Sequence, residues 1–168
     1  PYDTKTVCFN EGYFALTAAK MIEENASTDD IISTMDHMRE NNKIMFAVDS
    51  LEYLVKNGRL SGAAGFIGKY LKIKPILELF EDGTIQAVEK IRTTKKALEG
   101  VAERFNEYVK GHKYFAYIAY TGDELLNFLK EVLKEKSNVE GLLESPCTPV
   151  VGCHVGGNAI GIGIFLLD

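Results

Sequence analysis

Three basic side chains stand where an anion could be held. Arg59 follows a glycine in Asn57-Gly58-Arg59-Leu60. Arg92 lies in Lys90-Ile91-Arg92-Thr93-Thr94. His154 lies in Val151-Gly152-Cys153-His154-Val155-Gly156-Gly157. A guanidinium captures a carboxylate or phosphate through two parallel charge-assisted hydrogen bonds. The Thr93 and Thr94 hydroxyls and the free N–H groups of a helix start would add donors beside Arg92. The glycines around His154 let backbone come close to another molecule. Against these readings stand plainer ones: most arginines are solvated or form weak surface pairs, and a histidine at a strand end can simply be satisfied by hydrogen bonds.

Familiar chemistries fail at identifiable positions. A nucleotide P-loop ending at Gly68-Lys69 would need a glycine at position 63 and a small hydroxyl at position 70, where Ala63 and Tyr70 stand. No G-x-G-x-x-G occurs, and the C-terminal glycines lead into a strand-like segment rather than a helix. Cys147, Cys153 and His154 lack zinc-knuckle spacing, and Cys8 is remote. Cys153-His154 adjacency in an extended chain would point the two side chains to opposite faces, which argues against a thiol–imidazole dyad. Cys8 and Cys153 are expected to be small buried hydrophobes. No metal site or cofactor is expected.

The elements that must position these residues follow from periodicity and end signals. Apolar spacing predicts a helix over Asn10 to Asn25 and a second one capped by Ser27, with Asp30 three residues on. Lys43 to Val48 reads as a strand. Ser50 opens a third helix, which Gly58 ends. Ser61 opens a fourth over Gly62 to Leu71. Ile73–Phe80 and Thr84–Ile91 flank Asp82-Gly83, a strong hairpin signal. Thr93 or Thr94 starts a long helix, Tyr114 to Tyr120 is a strand, and the leucine-rich run after it is a helix. Val139 to Leu143 and Ile160 to Leu167 complete the strands. The alternation predicts an α/β fold: a mixed β-sheet with packed helices.

The 168 residues are 46% apolar and 26% charged, with a net charge of -5. No basic stripe is present, so no nucleic-acid partner is expected. No apolar run reaches the roughly 20 residues that span a bilayer, and these residues contain no signal-peptide pattern. Three cysteines at irregular spacing make a disulfide framework improbable and point to a reducing cytoplasm. Ala63 to Leu71 is apolar and rich in small residues. It is either a buried helix or one lining an apolar pocket.

Several motifs in linked order resemble the DegV family. They are Asp49-Ser50-Leu51-Glu52-Tyr53-Leu54, Gly58-Arg59-Leu60, Ile73-Lys74-Pro75-Ile76-Leu77, Asp82-Gly83, Lys90-Ile91-Arg92-Thr93-Thr94-Lys95-Lys96-Ala97-Leu98, and the segment around His154. The resemblance covers essentially the whole chain. One departure is Gly156-Gly157-Asn158, where the family usually has Gly-Pro-Gly.

The resemblance implies the C-terminal portion of a two-domain fold, within a longer protein. Residues 1–42 would be the last helices of the first domain, and 43–168 the second α/β domain. It also implies a fatty-acid carrier of bacterial phospholipid metabolism, not itself an enzyme. The bound acid would be presented to a soluble ATP-dependent fatty acid kinase subunit for acyl-phosphate formation. Arg92, His154 and Arg59 would serve the head group or the partner face, and Phe66, Ile67 and Leu71 the apolar tunnel. Two alternatives stay open: a small enzyme using His154, and a non-lipid interaction domain.

Overall fold

The computed structural model describes residues 1–60, 73–137 and 142–168. The expected helix over 62–71, with the pocket candidates Phe66, Ile67 and Leu71, lies outside the described residues.

The helices are α1 (Cys8–Glu23), α2 (Thr28–Glu40), α3 (Glu52–Lys56), α4 (Thr94–Val109), α5 (Asp123–Ser137) and α6 (Pro149–Val155). The strands are β1 (Asn42–Val48), β2 (Ile76–Leu79), β3 (Ile85–Glu89), β4 (Tyr114–Tyr120), β5 (Leu143–Pro146) and β6 (Ala159–Leu166). Among the described residues the strands form one mixed sheet in the order β3-β2-β1-β6-β4-β5. Its neighbours are antiparallel except β4 and β5.

The two central strands show why the sheet is covered on both faces. Along β6, Ile160, Ile162 and Ile164 point one way, while Ala159, Gly161, Gly163 and Phe165 point the other. Along β1, Met45 and Ala47 join the isoleucine face, and Ile44, Phe46 and Val48 the opposite one. The isoleucine face packs against α4 and α5, whose Leu98, Val101, Phe105 and Leu129 are fully buried. Each such side chain contributes roughly 1.5–3 kcal/mol by leaving water. The opposite face is covered by α3 and α6 over one region, and by α1 and α2 over another.

Local chemistry accounts for the helix starts. Ser27 Oγ accepts the Asp30 N–H at 3.1 Å, and Thr93 Oγ1 accepts the Lys96 N–H at 3.4 Å, as expected of the two caps. α1 has no side-chain cap. One free N–H of its first turn, from Asn10, instead donates 3.0 Å to the Tyr117 hydroxyl on β4. The Tyr117 ring packs over Gly163, its cross-strand partner: a Cβ there would sit 2.2 Å from the ring. Glycine on β6 therefore makes room for the ring that anchors α1.

The structure differs from the sequence reading in three places. α6 occupies a stretch read as extended. Pro149 takes its first position, where the missing N–H costs nothing, and Gly156 ends it with φ +87°. A helix of so few residues is too short to show periodicity. The strand expected over 139–143 is β5, running from Leu143 to Pro146, with residues 139–141 outside the described set. Its proline is tolerated on this edge strand. Cys153 is exposed and Cys8 only half-buried, whereas both were expected inside.

Candidate functional site

An apolar cavity of about 200 Å³ opens on the sheet face away from α4 and α5. Its floor is Ile44 and Phe46 of β1, Ala119 of β4, and Ala159 and Gly161 of β6. Leu54 of α3 and Val151 and Val155 of α6 form one wall, and Val7 and Cys8 at the start of α1 another. Leu79, Gly83 and Ile85 of the β2–β3 hairpin close a third side. Against this apolar lining, polar groups are few: Arg59, His154, Cys8 and Cys147.

His154 sits in the last turn of α6 and is half-buried. Its Nδ1 is buried and has no hydrogen-bond partner among the described residues. A buried polar atom left unpaired costs about 1–3 kcal/mol. The His154 side chain is also one of the few polar groups lining the apolar cavity, where a polar ligand group would need a partner.

Arg59 reaches the same cavity by a different route. Gly58 has φ +64° and ends α3, its N–H bonding to the Val55 carbonyl at 3.1 Å. The chain then turns sharply, with the Arg59 N–H on the Leu54 carbonyl at 2.8 Å. The guanidinium is exposed, and Nη1 donates only to the Asn57 carbonyl, at 3.1 Å. Its remaining donors are directed by no other hydrogen bond that the described residues supply.

The two basic groups share a rim because α3 and α6 are clipped together. Asn57 Nδ2 donates to the Tyr53 carbonyl at 2.9 Å and to the Cys153 carbonyl at 3.1 Å. Tyr53 packs on Gly156, where a Cβ would lie 2.9 Å from the ring. The turn after α6 is held by Thr121, whose Oγ1 donates to the Gly156 carbonyl and accepts the Ala159 N–H, each at 2.8 Å. Tyr53 and Asn57 lie in stretches that the sequence singled out, but neither their bracing role nor that of Thr121 was visible there.

Arg92 does not line the cavity. It is exposed, one residue before the α4 cap. Contacts nonetheless relate it to the same end of the sheet. The Lys74 N–H donates to the Ile91 carbonyl at 2.6 Å, Lys74 Nζ pairs with Asp49, and the Asp49 N–H reaches the Asn158 carbonyl at 3.0 Å, just ahead of β6.

Cys8 and Cys147 bring thiols to the cavity wall, with Sγ atoms 3.9 Å apart. The hydrogen bond they share, together with burial, pushes the Cys8 thiol far up. The same bond, in which either sulfur can donate, lowers Cys147. Neither pairing nor placement was visible in the sequence, where the two lie 139 positions apart.

A separate hollow of about 100 Å³, between Lys5, Arg39, Glu40, Lys43, Glu81 and Tyr108, is polar and mixes both charge signs. Among the described residues no group of three or more metal-ligating side chains is present, and no helix is long and apolar enough to cross a membrane.

Fold and cavity together define a mixed α/β module with an apolar cavity edged by cationic side chains. The chain belongs to the DegV family: the family model described as "Uncharacterised protein, DegV family" matches residues 1–166. Protein DegV of Bacillus subtilis is 37% identical over 166 residues, and a DegV domain-containing protein of Clostridium acetobutylicum is 36% identical over 165. Each alignment covers 96% of this chain and 58% of the relative, so the chain spans less than two thirds of their length.

Solved structures agree with the fold. The fatty acid binding DegV family protein of Streptococcus agalactiae superposes with a TM-score of 0.92 at 30% identity, over 100% of this chain and 60% of that one. DegV of Bacillus subtilis, described as a fatty acid binding protein, gives 0.80 at 35% identity, over 99% and 60%.

Proposed function

We propose that this chain supplies the acyl pocket and part of the head-group site of a fatty-acid carrier. The observation that carries this reading is the meeting of His154 and Arg59 in the lining of a largely apolar cavity. An amphiphile with one polar end fits that combination. Its methylenes contribute roughly 0.8 kcal/mol each on burial. Its carboxylate would be costly to desolvate without charge-assisted hydrogen bonds, which His154 and Arg59 can donate. The fatty-acid-binding descriptions of the Streptococcus agalactiae and Bacillus subtilis proteins support the same ligand class.

In this reading the chain is a carrier and a separate ATP-dependent kinase phosphorylates the bound carboxylate. Arg59 is exposed at the cavity and Arg92 at the neighbouring sheet end, so both can meet a partner while the acyl chain stays covered. Residues 1–42 belong with a preceding domain that completes the pocket. The exposed Leu16 and Ile22 on α1 are apolar surface for such packing.

The test is direct. The full-length protein containing this chain, delipidated, is incubated with oleate and palmitate, separated from free lipid and extracted for mass spectrometry. Stoichiometric retention is expected, and acyl phosphate should form only when the kinase subunit and ATP are added. Retention of neither acid, in a chain shown to be folded, would sink the proposal.

A further inference from the structure

The cavity wall carries a pair of thiols that acyl-chain binding does not require. Cys8 opens α1 and Cys147 lies between β5 and α6; both are half-buried and both border the cavity. Cys8 adopts φ +59°, a conformation that side-chain-bearing residues rarely take. Cys147 is held from the other side, its N–H donating to the Tyr120 carbonyl at 2.7 Å. Their sulfurs, 3.9 Å apart, must close by about 1.9 Å to reach the roughly 2.05 Å of a disulfide bond. The third cysteine, Cys153, is exposed and does not line the cavity.

We propose that Cys8 and Cys147 form an oxidisable dithiol site in the cavity wall, which hydrogen peroxide converts to an intramolecular disulfide tying the start of α1 to the segment before α6. The inference does not depend on what fills the cavity.

The two thiols divide the work. The bond between the two sulfurs raises the Cys8 thiol and favours the thiolate at Cys147, which is therefore the attacking sulfur. The Cys147 thiolate attacks one peroxide oxygen and the O–O bond breaks. Cys147 becomes a sulfenic acid, and the hydroxide released takes up the proton Cys147 gave up, forming water. The Cys8 sulfur then attacks the sulfenic sulfur. The S–S bond forms, the S–O bond breaks, and the hydroxyl leaves with the Cys8 proton as a second water. Two thiols are oxidised and one peroxide is reduced. Dithiothreitol reverses the step by thiol–disulfide exchange.

The experiment treats the full chain with hydrogen peroxide, blocks remaining thiols, and maps peptides without reduction. The expected result is a fall from three titratable thiols to one, a Cys8–Cys147 cross-linked peptide, and alkylation confined to Cys153. The Cys153→Ser variant should form the same cross-link and retain no titratable thiol. Dithiothreitol should restore all three thiols in the unsubstituted chain. A disulfide involving Cys153, a dimer linked between chains, or sulfinic acid at Cys147 without any cross-link would each overturn the proposal.

Discussion

Replacing His154 by leucine should move stability and binding in opposite directions. In the free chain Nδ1 is buried without a partner among the described residues, a state worth about 1–3 kcal/mol of destabilisation. Leucine is similar in size, favours the helix, and suits a wall already built from Val151, Val155 and Leu54. His154→Leu should therefore leave the ligand-free chain as stable as before, or raise it by up to about 1 kcal/mol. With a urea slope of about 2 kcal/mol/M, that is a midpoint rise of at most about 0.5 M. Fatty-acid binding should weaken instead. A hydrogen bond to a charged group is worth about 1.5–3 kcal/mol, which corresponds to roughly 10-fold to 150-fold in affinity. Urea unfolding of the delipidated chain and displacement of a fluorescent fatty acid by oleate read the two quantities separately. If the variant loses more than about 1 kcal/mol of stability while oleate affinity is unchanged, His154 is a packing residue and the argument from its unpaired nitrogen is wrong.

Other substitutions test the frame around the site. Gly163→Ala places a Cβ 2.2 Å from the Tyr117 ring and 2.4 Å from Asn10 Oδ1, in a region with no slack. Overpacking of this kind should cost about 1–3 kcal/mol, seen as a lower urea midpoint. Glu78→Gln removes the buried carboxylate shared by Lys43 at 3.4 Å and Arg104 at 3.3 Å. Because both cations are partly exposed, the loss should be about 1–3 kcal/mol rather than the larger figure for a fully buried pair, and it should persist in high salt. Thr121→Val keeps the shape but drops the bonds to Gly156 and Ala159. It should cost about 1–3 kcal/mol and weaken oleate binding as well, through the turn that follows His154.

What the sequence revealed was what short-range chemistry decides. The Asp82-Gly83 hairpin, the Ser27 and Thr93 caps, the Gly58 helix end and the β1 strand all depend on residues within a few positions of one another, and all are present. α6 was missed because proline at its start and glycine at its end are equally at home in a loop. The clip between α3 and α6 joins Asn57 to Cys153, and the thiol pair joins Cys8 to Cys147. Such juxtapositions exist only once the sheet has brought distant segments together. His154 was recognisable through its glycine-rich setting, but its unpaired nitrogen was not. Arg92 was marked by its neighbours, yet it stands apart from the cavity that Arg59 and His154 share.

The cavity itself has a cause that lies along one strand. β6 places Ile160, Ile162 and Ile164 toward α4 and α5, and that side is filled. Toward the cavity it presents Ala159 and Gly161, and β4 presents Ala119 opposite Gly161. A Cβ on Gly161 would lie 2.5 Å from Phe46 Cβ and from the Met45 carbonyl. The small residue is thus demanded first by the close approach of β1, and the open space above it follows. The hollow is a consequence of strand packing that helices α3 and α6 span without filling. Substitutions that deepen or fill it should therefore be chosen on those helices, because Gly161 at the centre of the floor cannot accept a side chain without forcing β1 away from β6.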